Sequence, residues 1–419
     1  MTGAGRGRPS VLVVTKTARL GGAERVLMNA LPYLDRDRFR YRFSALDTEG
    51  PLADAVQEAG LRFAPLPSRR AFHPRNFAAL RRAAKNGGID LVHAHLPLVG
   101  CLSRAAFHRR VPLIYTEHNL QDSYHPASRW LNSRTYRWQR RVIAVSDEVS
   151  SSAFRHVGRH AAERVQVIPN GVDFERLDRE ARRPPGPLPG SRIDALRVLV
   201  PGTLARRKGQ DVLLDALSFL GDSAPALTVW MAGDGPLEGS LRRRLASRPE
   251  LAARVEFLGR RSDIFAVMRA ADVLVMPSRY EGHPLALLEG LALGKACIAT
   301  RVGGVPEIVT SGHNGLLIAP ENPGALASAL RQMACDPALR RRLGQAAARE
   351  VRARFDIRDT VRAWERVYEE TLGEEPALTD RRASARRSSR WRGGSRRSYP
   401  RRPVPNREPT DTPSPPGCG

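Results

Sequence analysis

The chain has 419 residues, 42% of them hydrophobic, and carries 68 basic against 43 acidic residues for a formal net charge of +25 at pH 7. That length argues against a single domain and favours two, each with enough apolar residues to bury a large core. Only Lys16, Lys85, Lys208 and Lys295 among the basic residues are lysines. So general an arginine bias is as well explained by a GC-rich genome as by an anionic partner, so the charge does not argue for nucleic acid, although it suits a phosphate-bearing substrate or an anionic membrane surface.

Residues 1–9 form a flexible N-terminus in this reading. SVLVVT (10–15) then reads as a buried strand, and GGAERVLMNALPYL (21–34) as a helix with a glycine-rich start. YRFSAL, LRFAPL, DLVHAH, PLIYTEHN, RVIAVS and QVIPNGV follow as strands, with helical stretches between several of them. Near-continuous apolar strands alternating with helices predict a parallel sheet covered on both faces, over residues 10–173. FERLDREARRPPGPLPGSRIDAL (174–196) is charged and then rich in Pro and Gly, which predicts a linker. The alternation restarts in RVLVPG, ALTVWMAG, RVEFLG, ADVLVMPS, ACIATRVGG and GLLIAP, giving a second α/β unit over 197–358. DTVRAWERVYEETL (359–372) is a last amphipathic helix in a segment that runs to 373. From 374 to 419 the sequence holds 11 arginines and 5 acids with little to bury, and it is expected to be a disordered tail.

The four cysteines show no CxxC or metal-ligand spacing and fit a reducing, cytoplasmic setting. The apolar run near the N-terminus is too short for a signal peptide, and no stretch approaches the ~20 apolar residues of a membrane span.

Two such units would place their strand ends around a cleft, where ligands bind. The unusual residues after strands are Lys16–Gly22, His93 and His95, Glu117–Asn119, Thr203–Gly209, Gly233–Pro236, Gly259–Asp263 and Ser278–Leu285. Gly21 and Gly22 open a helix, where free N–H groups favour an anion, though a tight turn explains one glycine pair as well. Lys208 is a lysine kept where arginine is the rule, which suits phosphate and equally suits an ordinary surface position. In YEGHPLALLEGLALG (280–294), Pro284 fits the first position of a helix that offers the N–H groups of Leu285 and Ala286 to the cleft. Glu289 has only Leu285, Ala286, Ala292 and Leu293 beside it on that helix. A buried carboxylate needs donors, and a diol supplies two. One glutamate of Glu281 and Glu289 could hold a sugar hydroxyl and the other a ribose diol, with a diphosphate on the helix N-terminus between them. Two structural glutamates capping loops would give the same pattern.

Other signals fail. GAGRG (3–7) precedes its strand instead of following it, so it is no dinucleotide fingerprint. Asp35 and Asp37 have DxD spacing but lie in a charged surface run. His93 and His95 are expected on opposite faces of their strand, unsuited to share a metal. No metal site, nucleophile elbow, Walker loop or kinase signature is found.

Taken together, LGGAERVLMNAL, DLVHAHLP, YTEHN, VIAVSDEV, VIPNGVD, PGTLARRKGQDVLLDAL, AGDGPL, VEFLGRRSDI, the run from ADVLVMPS to ACIAT, VGGVPEIV and NGLLIAP resemble, in order and spacing, the GT-B retaining glycosyltransferases of family 4 over residues 10–373. The resemblance implies two Rossmann-like doubly wound domains, with a C-terminal helix crossing back to the first. It implies transfer of a sugar from a nucleotide-diphosphate sugar with retention of configuration, without a metal or other cofactor, and with the acceptor on the first domain and the donor mostly on the second. It sets Glu281 at the sugar hydroxyls, Glu289 at the ribose, and the backbone of Gly282, His283, Leu285 and Ala286 at the sugar and diphosphate. Lys208 would bind the diphosphate, Gly22 would close over it, Gly259 and Arg260 would lie beside the base, and His118 would approach the sugar from the acceptor side. Thr203 stands where family members often carry arginine, so Arg206 or Arg207 would supply that charge. Metal-free transfer needs fixed positive charge at the leaving diphosphate, which Lys208, an arginine and a helix N-terminus can provide.

The acceptor is a hydroxyl of a glycan or lipid-linked molecule in this reading, in the building of cell-envelope, capsular or other exported polysaccharide or glycolipid. RWLNSRTYRWQRR (129–141) mixes tryptophan and tyrosine with arginine, which suits peripheral contact with the inner face of an anionic membrane and equally suits a surface helix with its aromatics turned inward. The rivals are an epimerase or phosphorylase on the same scaffold and, more remotely, a nucleic-acid-binding protein. Arginines spread along the whole chain speak against the last.

Overall fold

The computed structural model describes residues 7–373 except 87, 109, 159–163, 190–194 and 221–224. The expected tail at 374–419 and residues 1–6 lie outside the described residues.

Strands β1 (Ser10–Val14), β2 (Arg40–Ser44), β3 (Arg62–Phe63), β4 (Leu91–His95), β5 (Leu113–Glu117), β6 (Arg141–Ala144) and β7 (Val165–Val167) form a parallel sheet in the order β3-β2-β1-β4-β5-β6-β7. A second parallel sheet joins β8 (Leu196–Pro201), β9 (Leu227–Ala232), β10 (Val255–Gly259), β11 (Val273–Met276), β12 (Ala296–Thr300) and β13 (Leu316–Ile318) in the order β10-β9-β8-β11-β12-β13. Helices separate most of the consecutive strands, so β1, β4 and β5 are buried along their whole length; β1 is apolar apart from Ser10, while β4 and β5 begin apolar and carry buried polar residues toward their carboxyl ends. Each sheet reverses its strand order, between β1 and β4 and between β8 and β11, and such reversals open a crevice at the carboxyl ends of the strands.

The last helix, Ile357–Gly373, packs on the first sheet. Glu365 accepts hydrogen bonds from the Tyr41 hydroxyl at 2.7 Å and the Asp35 amide at 2.8 Å, and the Tyr368 hydroxyl meets His93 Nδ1 at 2.7 Å. Trp364 is 3% exposed. Trp364→Ala is expected to cost about 3–5 kcal/mol, the usual loss when a buried Trp is truncated, measured as a lower urea midpoint with an unchanged slope.

Several expectations are corrected. The presumed linker begins with a helix, Phe174–Ala181, capped by Asp173 and burying Phe174, Leu177 and Ala181. Its apolar residues recur at helical spacing inside a run that reads as merely charged. Residues 8 and 9 are tied down, because their carbonyls accept from Arg40. The helix expected to Leu34 is α-helical over Gly22–Ala30 and tightens to a single 3₁₀ turn at Leu31–Tyr33, where Pro32 cannot donate. Cys101 and Cys297 are buried free thiols. Among the described residues no helix is long and apolar enough to cross a membrane.

Candidate active site

A cavity of about 540 Å³ lies between the carboxyl ends of the two sheets. From the second half it is lined by Thr203, Arg207, Lys208, Arg260 and the run from Tyr280 to Ala286 with Glu289; from the first half Gly21, Gly22, Arg25, His118, Asn119 and Tyr124 face them. Gly259 does not line it. It ends β10 with a φ of +62° and hands the chain to Arg260, which does.

At the centre stands an ion cluster. Lys208 Nζ donates to Glu281 Oε1 at 2.5 Å, Ser278 Oγ donates to the same oxygen at 2.7 Å, and Arg207 lies 3.7 Å from Glu281 Oε2. Burial alone would raise the Glu281 carboxyl, but Lys208 and Arg207 outweigh it and hold it below its ordinary value. Lys208 is pushed down by burial, against the pull of Glu281. Its short helical turn ends at Gly209, where φ is +68° and a Cβ would come within 1.9 Å of the Pro277 carbonyl oxygen. Arg206 points elsewhere, into a separate hollow with Arg244 and Arg279. Arg207 is therefore the arginine of the pair that reaches the cleft, and Thr203 contributes only its place on the wall.

Helix Leu285–Ala292 aims its N-terminus into the same space. Pro284 is its N-cap and not its first residue, and no side chain caps it, so the Leu285 and Ala286 amides head the helix at the cleft. His283 is buried, its carbonyl accepts from Asn170 Nδ2 at 2.8 Å, and its ring sits beside Phe355 with neither nitrogen partnered among the described residues. Burial pushes that imidazole down to about 3, so it is neutral at physiological pH.

The partner of Glu289 could not be read from the sequence. Glu289 is 1% exposed, and Arg25 Nη1, from the helix Gly22–Ala30 of the first half, lies 3.3 and 3.2 Å from its two oxygens. Burial raises the Glu289 carboxyl, and Arg25 counters it. The glycine-rich start of that helix also holds an internal acid: Glu24 accepts from Thr15 Oγ1 at 2.7 Å and lies beside Gly21.

Gly282 sits where the halves approach closely. A Cβ there would stand 1.9 Å from the His118 carbonyl oxygen. Nearby, Glu307 of VGGVPEIV accepts from the amides of Asp147 and Glu148, both at 3.1 Å, at the start of a first-half helix. Gly282→Ala is expected to force the halves apart, lowering turnover at least about a hundredfold, since a misplacement near 1 Å costs that much. Small-angle scattering would show a larger radius than wild type.

His93 and His95 are on one face of β4, not on opposite faces, because residues two apart on a strand project the same way; their ring centroids are 4.1 Å apart. His95 Nδ1 lies 2.9 Å from His118 Nε2. Among the described residues no set of three or more His, Cys, Asp or Glu is placed to hold a metal ion. In the segment 129–141, Tyr136 is buried in the first core, while Trp130 is 61% exposed with Arg134 stacked over it.

The fold and cleft define a GT-B glycosyltransferase. The sequence matches the family described as glycosyl transferases group 1 over residues 195–336 and glycosyltransferase family 4 over residues 20–176. It is 31% identical over 345 residues to a D-inositol 3-phosphate glycosyltransferase of Streptomyces bingchenggensis, covering 76% of this chain and 75% of that one. It is 29% identical over 332 residues to the glycogen synthase of Mycobacterium tuberculosis, covering 76% and 74%. The Anabaena Alr3699/HepE structure in complex with UDP and glucose superimposes with a TM-score of 0.74 at 23% identity, covering 87% of this chain and 100% of that one. The chain belongs to the group 1 glycosyltransferases of family 4.

Proposed function

We propose that this glycosyltransferase moves a sugar from a nucleotide-diphosphate sugar to a hydroxyl of a glycan or lipid-linked acceptor, with retention of configuration and without a metal. The observation that carries the reading is the buried Lys208–Glu281 pair beside the uncapped N-terminus of helix Leu285–Ala292. Lys208, Arg207 and the Leu285 and Ala286 amides concentrate fixed positive potential at one place, where a leaving diphosphate would develop its charge. Glu281 and the backbone from Gly282 to His283 would hold the sugar, Glu289 the ribose, Arg260 the base, and Gly22 would close over the diphosphate. His118 would meet the sugar from the acceptor side. The UDP and glucose held by the Anabaena protein support a nucleotide-sugar donor. Retention would follow a front-face route in which the leaving phosphate takes the proton of the incoming hydroxyl. The exposed Trp130 with Arg134 over its ring supports peripheral contact with an anionic membrane surface, the cytoplasmic face in this reading, with a cell-envelope, capsular or exported polysaccharide or glycolipid as the product class.

A panel of UDP-, GDP- and ADP-sugars tested by thermal shift, with and without EDTA, is expected to give one stabilising donor whose effect EDTA does not alter. The product anomer, read by NMR, should match the donor. Conversion of the donor without any acceptor would favour an epimerase. No response to any nucleotide sugar, with tight binding to DNA or RNA, would overturn the reading. A phosphorylase using a pyridoxal lysine is disfavoured because Lys295 is engaged with the backbone carbonyls of Arg269 and Ala271 at 2.6 and 2.9 Å.

A further inference from the structure

Behind the first-half wall of the cleft stand three imidazoles in a row, His93, His95 and His118. The His95 ring lies 4.1 Å from that of His93 and 5.2 Å from that of His118, with the Trp364 ring edge-on to it at 6.0 Å. His93 is satisfied on both sides, by the Tyr368 hydroxyl on Nδ1 and the Thr116 hydroxyl on Nε2, both at 2.7 Å. Hydroxyls donate or accept, so either tautomer of His93 is accommodated.

His95 has no such freedom. Its Nδ1 faces His118 Nε2 at 2.9 Å, and its Nε2 is buried without a partner among the described residues. Two facing ring nitrogens need one proton between them. If His118 donated it, His95 would carry its own proton on Nε2, as a buried N–H with no acceptor. If His95 Nδ1 donates, only a lone pair is left unmatched, and orphaned buried N–H groups are the rarer of the two. Burial keeps both rings neutral at physiological pH and lowers His118 to about 4. A neutral His118 that accepts on Nε2 has its proton on Nδ1, and His118 is part of the cleft wall.

We propose that His95 is a positioning residue that fixes the tautomer of His118, so that the cleft receives an Nδ1–H donor aimed at a substrate oxygen and not a proton acceptor. The substrate half of this inference rests on the transferase reading; the tautomer does not. The crossing helix shares in the arrangement, because Trp364 and Tyr368 hold the rings behind His118.

The test uses the full chain with ¹⁵N-labelled histidines, with His118 assigned by loss of its signals in His118→Gln. The ligand-free wild type is expected to show His118 protonated on Nδ1 and bare on Nε2 at pH 7.5, and His95→Phe is expected to move that proton. In turnover, His95→Phe should lower kcat about tenfold with the donor KM nearly unchanged, the loss expected for one misdirected hydrogen bond. His95→Asn, which keeps a donor near Nδ1, should recover most of it. In a His118→Phe background His95→Phe should cost nothing more. A wild-type His118 protonated on Nε2 overturns the proposal, whatever the activity and whether or not the variants fold. A complete absence of turnover with any nucleotide sugar would fail the transferase reading alone.

Discussion

Lys208→Ala is expected to lower kcat/KM for the donor by about 10²–10³-fold, the range for removing one preorganised donor from a developing oxyanion. The lysine is buried against Glu281, so its charge is fixed before substrate arrives. Lys208→Arg should fail to rescue. The Lys208 ammonium meets Glu281 Oε1 at 2.5 Å as a compact point charge, which a planar guanidinium does not reproduce. A stability signature should accompany the loss. In the wild type Glu281 is held below its ordinary value, so its contribution is present above the unfolded carboxyl pKa and is lost as pH falls through the folded one. Without Lys208 burial dominates, the folded carboxyl rises, and the same group costs stability as pH increases. The gap in melting temperature between wild type and variant should therefore widen from pH 4 to pH 8. A gap independent of pH, with unaltered kinetics, would reduce Lys208 to a surface lysine.

The architecture was legible because parallel strands covered on both faces must be apolar throughout. β1 and β9 announce themselves for that reason, and even the two-residue β3 lies inside a recognisable apolar run. Much of the cleft was also legible, since Lys208, Glu281 and the start of helix Leu285–Ala292 all follow strands of one sheet. What stayed hidden depends on contacts between distant segments. Arg25 and Glu289 are 264 residues apart, Glu307 and the helix it meets about 160, and nothing local marks either pair. Helix Phe174–Ala181 was obscured by its arginines and acids, although Phe174, Leu177 and Ala181 recur at helical spacing. The His93–His95 face could have been read from the sequence, because the two-residue period of a strand dictates it.

Arg25→Ala is expected to weaken the ligand-free protein and yet enlarge its response to a nucleotide sugar. Glu289 is an acid in an otherwise apolar helix, and its donor is Arg25 across the cleft. A ribose diol bound to both carboxylate oxygens would have to share them with that guanidinium, so the ion pair competes with the donor for the same lone pairs. Removing Arg25 leaves a buried carboxylate without its counter-charge, which costs about 1–3 kcal/mol once discounted for the partial exposure of the arginine. The melting temperature of the ligand-free variant should fall accordingly. The ligand-induced rise should exceed that of wild type, because the diol now satisfies a carboxylate with no other partner. Glu289→Ala predicts the opposite pattern, losing about 10²-fold in donor affinity, as two charge-assisted hydrogen bonds disappear. A 2′,3′-dideoxy donor separates the two roles. Wild type and Arg25→Ala should discriminate strongly against it, and Glu289→Ala should bind it no worse than the parent nucleotide. Equal binding of the dideoxy and parent donors by wild type would mean that the Arg25–Glu289 pair only holds the two halves together and that the ribose is read elsewhere.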